Sequence, residues 1–399
     1  MNHVIGIAVA SSVMAMSTPC LAQTLTLYRV DSAHAVDLGT LGGDEAEASD
    51  INNSGGIVGW ARDSEGTKRA FHYIGATMKN IGPSIRAIPS NATGLNDYGE
   101  VVGNYEDFHK VYGFYWHKNV GLVRLSDNLH PDEGFSDAYL AFPLAISSQG
   151  QIVGSVEGYV FDPTPAVPDP LPWLPCYVVV PAQWLHAYAN PQPLFCPYET
   201  WPGNVAYDVN DSGAMAVSEQ RSYYRGYVWK DGFRTLVPLP EIGNPREIQV
   251  FGINESGGVV GVATLSDPDR KHAAAYWDGT SVHSKVLGVL PGGDGSVAYE
   301  INDTNFIAGY STTLIDGGYL FADAIKSRAF LWHVKFGLYE LPVPPGFISL
   351  TTDCVAKSLN NREEHTGLIE LVGYCTKYGK KRAVRWNVVV TKQTIQIGM

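Results

Sequence analysis

Ile51-Asn52-Asn53-Ser54-Gly55-Gly56-Ile57-Val58-Gly59 decides the fold, because its pattern returns six more times. An aliphatic residue and a small polar residue enter a tight turn, and a valine-rich strand leaves it. The other copies are Leu95-Asn96-Asp97-Tyr98-Gly99, Ile146-Ser147-Ser148-Gln149-Gly150, Val209-Asn210-Asp211-Ser212-Gly213, Ile253-Asn254-Glu255-Ser256-Gly257, Ile301-Asn302-Asp303-Thr304-Asn305 and a stretched copy from Leu359-Asn360 to Gly367. Counted from the Asn (or Ser147), the steps are 44, 51, 63, 44, 48 and 58 residues. The shortest step occurs twice, and the others read as 44 plus an insertion. About 40 to 45 residues is the length of a four-stranded propeller blade.

A second landmark follows each turn: a small residue, then an aromatic three positions on. The aromatics are Tyr73, Trp116, Trp184, Trp229, Trp277, Trp332 and Trp386, in strict alternation with the turns. Strand A leads into the Asn turn, strand B leaves it, strand C carries the aromatic, and strand D follows a turn such as Trp229-Lys230-Asp231-Gly232. The fourth turn residue is glycine in five copies, as positive φ requires, and Asn305 in the sixth. The Asn itself is read as a turn former that bonds its own backbone, in preference to a ring of ligands around a pore. The aromatic is read as core between blades, and strand-B glycines such as Gly59 and Gly103 as points of close backbone approach.

The expected fold is all-β: a seven-bladed propeller of four-stranded antiparallel blades. The repeats fall near 36–82, 83–129, 130–200, 201–243, 244–293, 294–344 and 345–399. Six or eight blades, or an open β solenoid, are the alternatives; a solenoid would call for polar capping repeats, which are not seen. Thr24–Val30 alternates Thr and Leu without a blade of its own. It is expected to join the last blade beside Ile395–Ile397 and lock the ring, which removes exposed sheet edges.

The 399 residues are 45% hydrophobic with 42 Gly and 24 Pro, enough for a large core of short strands and turns. A net charge of −12 argues against nucleic-acid or anionic-membrane partners. Residues 1–22 carry no Lys, Arg, Asp or Glu, and Val4–Met16 is apolar, so the segment reads as a signal peptide cleaved after Ala22. A lipid anchor on Cys20 is the alternative. No later stretch has the roughly 18 apolar residues of a membrane helix. The chain is therefore expected to be secreted or periplasmic, and a monomer. Four cysteines remain after cleavage. Three pairings are possible; Cys354 is expected to pair with Cys375 across the stretched turn, and Cys176 with Cys196 across the turn near His186–Pro191, in preference to four free core thiols.

The chain resembles the bacterial extracellular repeats of the HAF type. Those carry a D-L-G-T-L-G-G phrase, an I-N-x-x-G-x-V-V-G hairpin and H-A-F-x-W. Here Asp37-Leu38-Gly39-Thr40-Leu41-Gly42-Gly43 matches the first, Ile51–Gly59 the second, and Arg69-Ala70-Phe71 or Arg328-Ala329-Phe330-Leu331-Trp332 the third. Repeat three departs with Ser147, and repeat four has Val217 where the strand-B glycine belongs. The resemblance implies export and a propeller-like β fold. It implies no reaction.

Function is expected on the B–C loops, whose lengths vary while the Asn turns are uniform. They carry Tyr105, Asp107, His109 and Tyr112 in the second blade, and Trp173 in the third. Arg221, Tyr223 and Tyr224 follow in the fourth, Asp267 and Asp269 in the fifth, Asp316 and Tyr319 in the sixth. Tyr and Trp beside carboxylates suit a glycan or an exported protein. No nucleophile elbow, zinc spacing or calcium loop occurs, so no metal or cofactor is expected. The leading expectation is a non-enzymatic binding or scaffold module. The alternative is an extracellular polysaccharide hydrolase or lyase, for which Asp44, Glu45, Asp294 and Asp323 are the candidate catalytic acids.

Overall fold

The computed structural model describes residues 23–84, 87–108, 110–125, 140–160, 176–184, 192–193, 204–220, 222–266, 272–315, 324–349, 351–361 and 367–397. They form seven four-stranded antiparallel sheets set around one axis. Strand β1 is Gln23–Asp37. Blade one follows with β2 (Gly42–Ile51), β3 (Ile57–Asp63), β4 (Lys68–Ile74) and β5 (Thr77–Asn80). Blade two has β6 (Ser90–Leu95), β7 (Val101–Asp107), β8 (Lys110–His117) and β9 (Gly121–Arg124). Blade three has β10 (Leu140–Ile146), β11 (Ile152–Val160), β12 (Cys176–Trp184) and β13 (Gln192–Pro193). Blade four has β14 (Val205–Val209), β15 (Met215–Gln220), β16 (Tyr224–Lys230) and β17 (Phe233–Leu236). Blade five has β18 (Pro245–Ile253), β19 (Val259–Leu265), β20 (His272–Trp277) and β21 (Lys285–Val286). Blade six has β22 (Gly295–Ile301), β23 (Ile307–Ile315), β24 (Ala324–His333) and β25 (Gly337–Glu340). Blade seven has β26 (Cys354–Leu359), β27 (Leu368–Lys377) and β28 (Lys380–Ile397), and β1 supplies its fourth strand.

The N-terminal strand thus closes the ring as its alternation foretold. It runs antiparallel to β28, with Leu25 opposite Ile395 and Gln23 opposite Ile397. In each blade the A strand is innermost, and β2 lies beside β26 as well as β6, so the circle is complete.

The core is divided among the seven blade-to-blade seams. Trp386 packs against Ala308 and Leu331 of blade six. Trp184 packs in one cluster with Val102 and Tyr115 of blade two, and Trp332 with Val260 of blade five. Trp277, Trp229, Trp116 and Tyr73 fill the other seams in the same way. Trp184 and Trp386 are fully buried. At roughly 2 to 3 kcal/mol for a large apolar side chain taken from water, seven such anchors are a main term in holding neighbouring blades together.

The turn glycines do what the pattern requires. Gly55 and Gly99 hold φ of 81° and 79°, and Asn305 takes the same conformation at 66°. The strand-B glycine answers a different demand. A Cβ on Gly59 would stand 2.1 Å from the Glu47 carbonyl oxygen, and one on Gly261 1.9 Å from that of Gln249. Of the two expected disulfides, Cys354–Cys375 is formed, between residues directly opposite each other in β26 and β27. The other lies outside the described residues, as Cys196 does.

Candidate functional site: the central channel

Seven innermost strands converge on the axis, and each carries a β-bulge at the same place. The extra residue stands three positions before the turn Asn: Ser49, Thr93, Leu144, Tyr207, Phe251, Tyr299 and Lys357. A bulge leaves one residue out of the ladder and turns its side chain to a new direction. Here the seven bulge residues stand at one level of the channel, its waist. A cavity of about 310 Å³ opens below it, at the Asn-turn end. The lining climbs the inner strands to Ser49, Thr93, Leu144, Tyr207 and Lys357 and stops there.

The Asn-turn end is built from bonds repeated around the circle. Asn52 Oδ1 accepts from its own turn at Gly56 N (2.8 Å), as expected of a turn former. Its Nδ2 also donates to the Asn96 carbonyl of the next blade at 2.9 Å. Asn96 reaches Ser147 in this way, Asn210 reaches Asn254, Asn254 reaches Asn302, and Asn302 reaches Asn360. Asn360 closes the round on Asn52 at 3.5 Å. The turn Asn therefore forms both its own bend and a link in a ring around the axis. A second round lies outside the first: Asn53 N donates to Asp97 Oδ1, Ser148 N to Asp211 and Asp303 N to Asn361. Blade three interrupts the inner round. Ser147 Oγ accepts from Gln151 N at 3.3 Å, and among the described residues no side-chain bond crosses from Ser147 to Asn210.

Three acids sit in the walls of this mouth. Asp208 Oδ2 accepts from Ile253 N at 2.9 Å and Asp50 Oδ2 from Leu95 N at 2.8 Å, so each staples its blade to a neighbour. Glu300 accepts from Ile301 N at 2.9 Å. Burial pushes all three carboxyls up, Asp208 to about 7, and the bonds to backbone N–H only partly offset it.

At the waist and toward the B–C loops, the wall changes character from one side to the other. On blades four to six, Tyr207, Phe251 and Tyr299 meet ring to ring at 5.1 and 5.6 Å. Tyr310 of β23 stacks on Tyr299 at 5.8 Å and extends the arc. Burial lifts the phenols of Tyr207, Tyr299, Tyr310 and Tyr374, that of Tyr374 to about 12. They stay neutral hydrogen-bonding groups at any physiological pH. On blades seven and one the wall is charged. Glu47 is buried on β2, and Lys357 and Lys381 bond its two carboxylate oxygens separately. Burial drives the Glu47 carboxyl upward, but the two lysines overcome that and hold it below its ordinary range. Lys381 also lies 4.1 Å from the Tyr374 ring centre, and Lys68 4.5 Å from that of Trp60.

Those residues singled out from sequence that are described lie at this same end, toward the B–C loops. Asp44 pairs with Lys380, and Glu45 receives Arg62 Nε at 2.6 Å. Asp294 accepts from Thr312 Oγ1 at 2.6 Å. Tyr105 and Tyr112 lie 5.4 Å apart, with Arg124 over Tyr112 at 3.6 Å. Asp107 ends β7 beside them. Tyr223 is exposed, while Tyr224 donates to Gln220 and, through its N–H, to Glu247. Asp323, His109, Trp173, Arg221, Asp267, Asp269, Asp316 and Tyr319 lie outside the described residues. The expected acids Asp44 and Glu45 stand next to the charged cluster but not in it. Glu47, Lys357 and the aromatic arc were missed. With the repeats aligned on the turn Asn, their signal is visible: the third residue before it is Ser, Thr, Leu, Tyr, Phe, Tyr and Lys in turn, inside a hairpin that otherwise repeats.

No family model and no curated protein matches the chain. Solved structures do. A TolB from Acinetobacter baumannii is 9% identical, with a TM-score of 0.38, over 59% of this chain and 52% of that one. The acylaminoacyl peptidase of Pyrococcus horikoshii is 12% identical, TM-score 0.45, over 87% and 53%. A mutant of Aleuria aurantia lectin bound to Fucα1-6GlcNAc is 10% identical, TM-score 0.39, over 76% and 97%. The chain spans about half the length of the TolB and peptidase chains it matches. Similarity at this level says nothing of function, and that the chain is a seven-bladed β-propeller rests on its own seven four-stranded sheets.

Proposed function

We propose that this protein is a non-enzymatic, glycan-binding propeller that works outside the cytoplasm. One observation carries the reading: four aromatic rings, Tyr207, Phe251, Tyr299 and Tyr310, run ring to ring over three consecutive blades, the first three at the bulge of the innermost strand. A sugar presents flat C–H faces and a rim of hydroxyls. Partly buried tyrosines offer ring faces for the first and phenolic oxygens for the second. The Cys354–Cys375 disulfide suggests an oxidising compartment, in keeping with the leader-like residues 1–22 and the HAF-type motifs. A polysaccharide hydrolase would need a carboxyl kept protonated beside a free carboxylate. At the B–C end, Asp44, Glu45, Glu47 and Asp294 are each tied to a lysine, an arginine or a threonine, which favours binding over cleavage.

A glycan array on the purified protein tests this reading. Binding is expected, with at least a tenfold loss in Tyr299→Ala and Phe251→Ala variants that still melt cooperatively. A blank array on folded protein overturns it and points to a protein partner.

A further inference from the structure

We propose that the lysine side of the channel is a subsite for the anionic substituent of an acidic oligosaccharide, a uronate carboxylate. The inference rests on the glycan reading and specifies which glycans are taken. Three lysines, Lys68, Lys357 and Lys381, gather around one buried carboxylate, Glu47. The local balance is therefore +2, in a chain whose total is −12. Excess charge of one sign in a partly desolvated wall is costly unless a counter-charge completes it. Lys68 records that cost: burial first, then Lys357, Lys381 and Arg62, push its ammonium below the ordinary lysine value, against the pull of Glu47. Among the described residues Lys68 has no ion pair; its neighbour is the ring of Trp60.

The donors are also free in the right number. An ammonium has three N–H groups. Lys357 spends one on Glu47 Oε1 and Lys381 one on Glu47 Oε2, so donors remain on both for a second anion. Lys357 is itself a bulge residue at the waist, with a third of its side chain exposed. Glu47 sets the position of the two lysines.

The aromatic and cationic sides are one surface. Tyr299 stacks on Tyr310, both lie close enough to Tyr374 to raise its phenol or have theirs raised by it, and Tyr374 carries Lys381 at 4.1 Å and Lys357 at 6.0 Å over its ring. A sugar ring on Tyr299 and Tyr310 would direct a C6 carboxylate toward the lysines.

Calorimetric titration of the full protein with a tetragalacturonate, its carboxyl-reduced neutral counterpart and a sulfated tetrasaccharide tests the proposal. The uronate is expected to bind at least tenfold tighter than the neutral sugar at 50 mM salt, with the gap narrowing at 300 mM. Lys357→Met and, separately, Lys381→Met should each lose at least tenfold for the uronate and leave neutral-sugar affinity within twofold. Tighter binding of the sulfated sugar, lost in the same variants, keeps the anion site and makes sulfate its source. Equal affinity for neutral and acidic sugars, or equal loss of both in the variants, overturns this proposal and leaves the glycan reading standing. Failure to bind any of the three sugars overturns both.

Discussion

The two ends of the channel are made from the same seven strands and are unlike in construction. At the Asn-turn end, the same side chain makes the same bond from blade to blade, with Asn52, Asn96, Asn210, Asn254 and Asn302 each reaching a carbonyl of the next turn. At the waist, the corresponding side chain changes around the ring: Lys357 is followed by Ser49, Thr93 and Leu144, and then by the aromatic arc. The difference teaches where to look in a repeat protein. Positions that repeat hold the circle shut. Positions that break the repeat, inside a hairpin that otherwise keeps it, are free to recognise something.

That division can be broken by experiment. Asn254 donates to Asn302 O and Asn305 Oδ1, and its own Oδ1 accepts from Gly258 N and Ser256 Oγ. Asn254→Ala deletes all four bonds and strands buried backbone groups. The expected loss is about 3 to 4 kcal/mol in denaturant unfolding, with glycan affinity unchanged. A mild effect would show that the repeated end does not hold the ring.

The buried acids of the same mouth give a pH signature. The Asp208 carboxyl is raised to about 7 by burial, against an ordinary value of 3.8. Between these values the unfolded chain has released the proton and the folded chain keeps it. Stability from this group is therefore complete below about pH 4 and lost as pH rises toward 7. Asp208→Asn does not titrate. The wild type, measured relative to this variant, should lose about 3 kcal/mol between pH 4 and 7 in urea melts at both pH values. A flat difference would mean that the site is wetter than its packing implies.

The smallest effect sharpens the comparison. Ser147 is the one position where the inner round of bonds lacks its Asn. Ser147→Asn supplies the missing donor toward Asn210 and should raise stability by about 1 kcal/mol. A neutral or destabilising result would show that the missing bond does not limit the seam between blades three and four.

Most of this architecture was readable from residues alone, for identifiable reasons. The turn needs positive φ at its fourth position and the inter-blade seam needs one large ring, so Gly55 or Asn305, and Trp184 or Trp386, had few substitutes. The closing strand was readable because Thr24–Val30 alternates and has no partner nearby in sequence. The channel was not. Its waist depends on a bulge three positions before the turn Asn, and a bulge leaves no composition of its own. Glu47 was hidden for a second reason: its partners Lys357 and Lys381 stand more than 300 residues away and meet it only once the ring is closed.

That closure has a consequence for assembly. Until β1 arrives, blade seven has three strands, and β28 shows a bare row of N–H and C=O groups. The register that joins residue 23 to residue 397 is satisfied equally well by the β1 of another molecule. Crowded refolding should therefore yield strand-exchanged dimers, each copy latching the other. Dilution, or a tether holding β1 near β28, should return the lone ring.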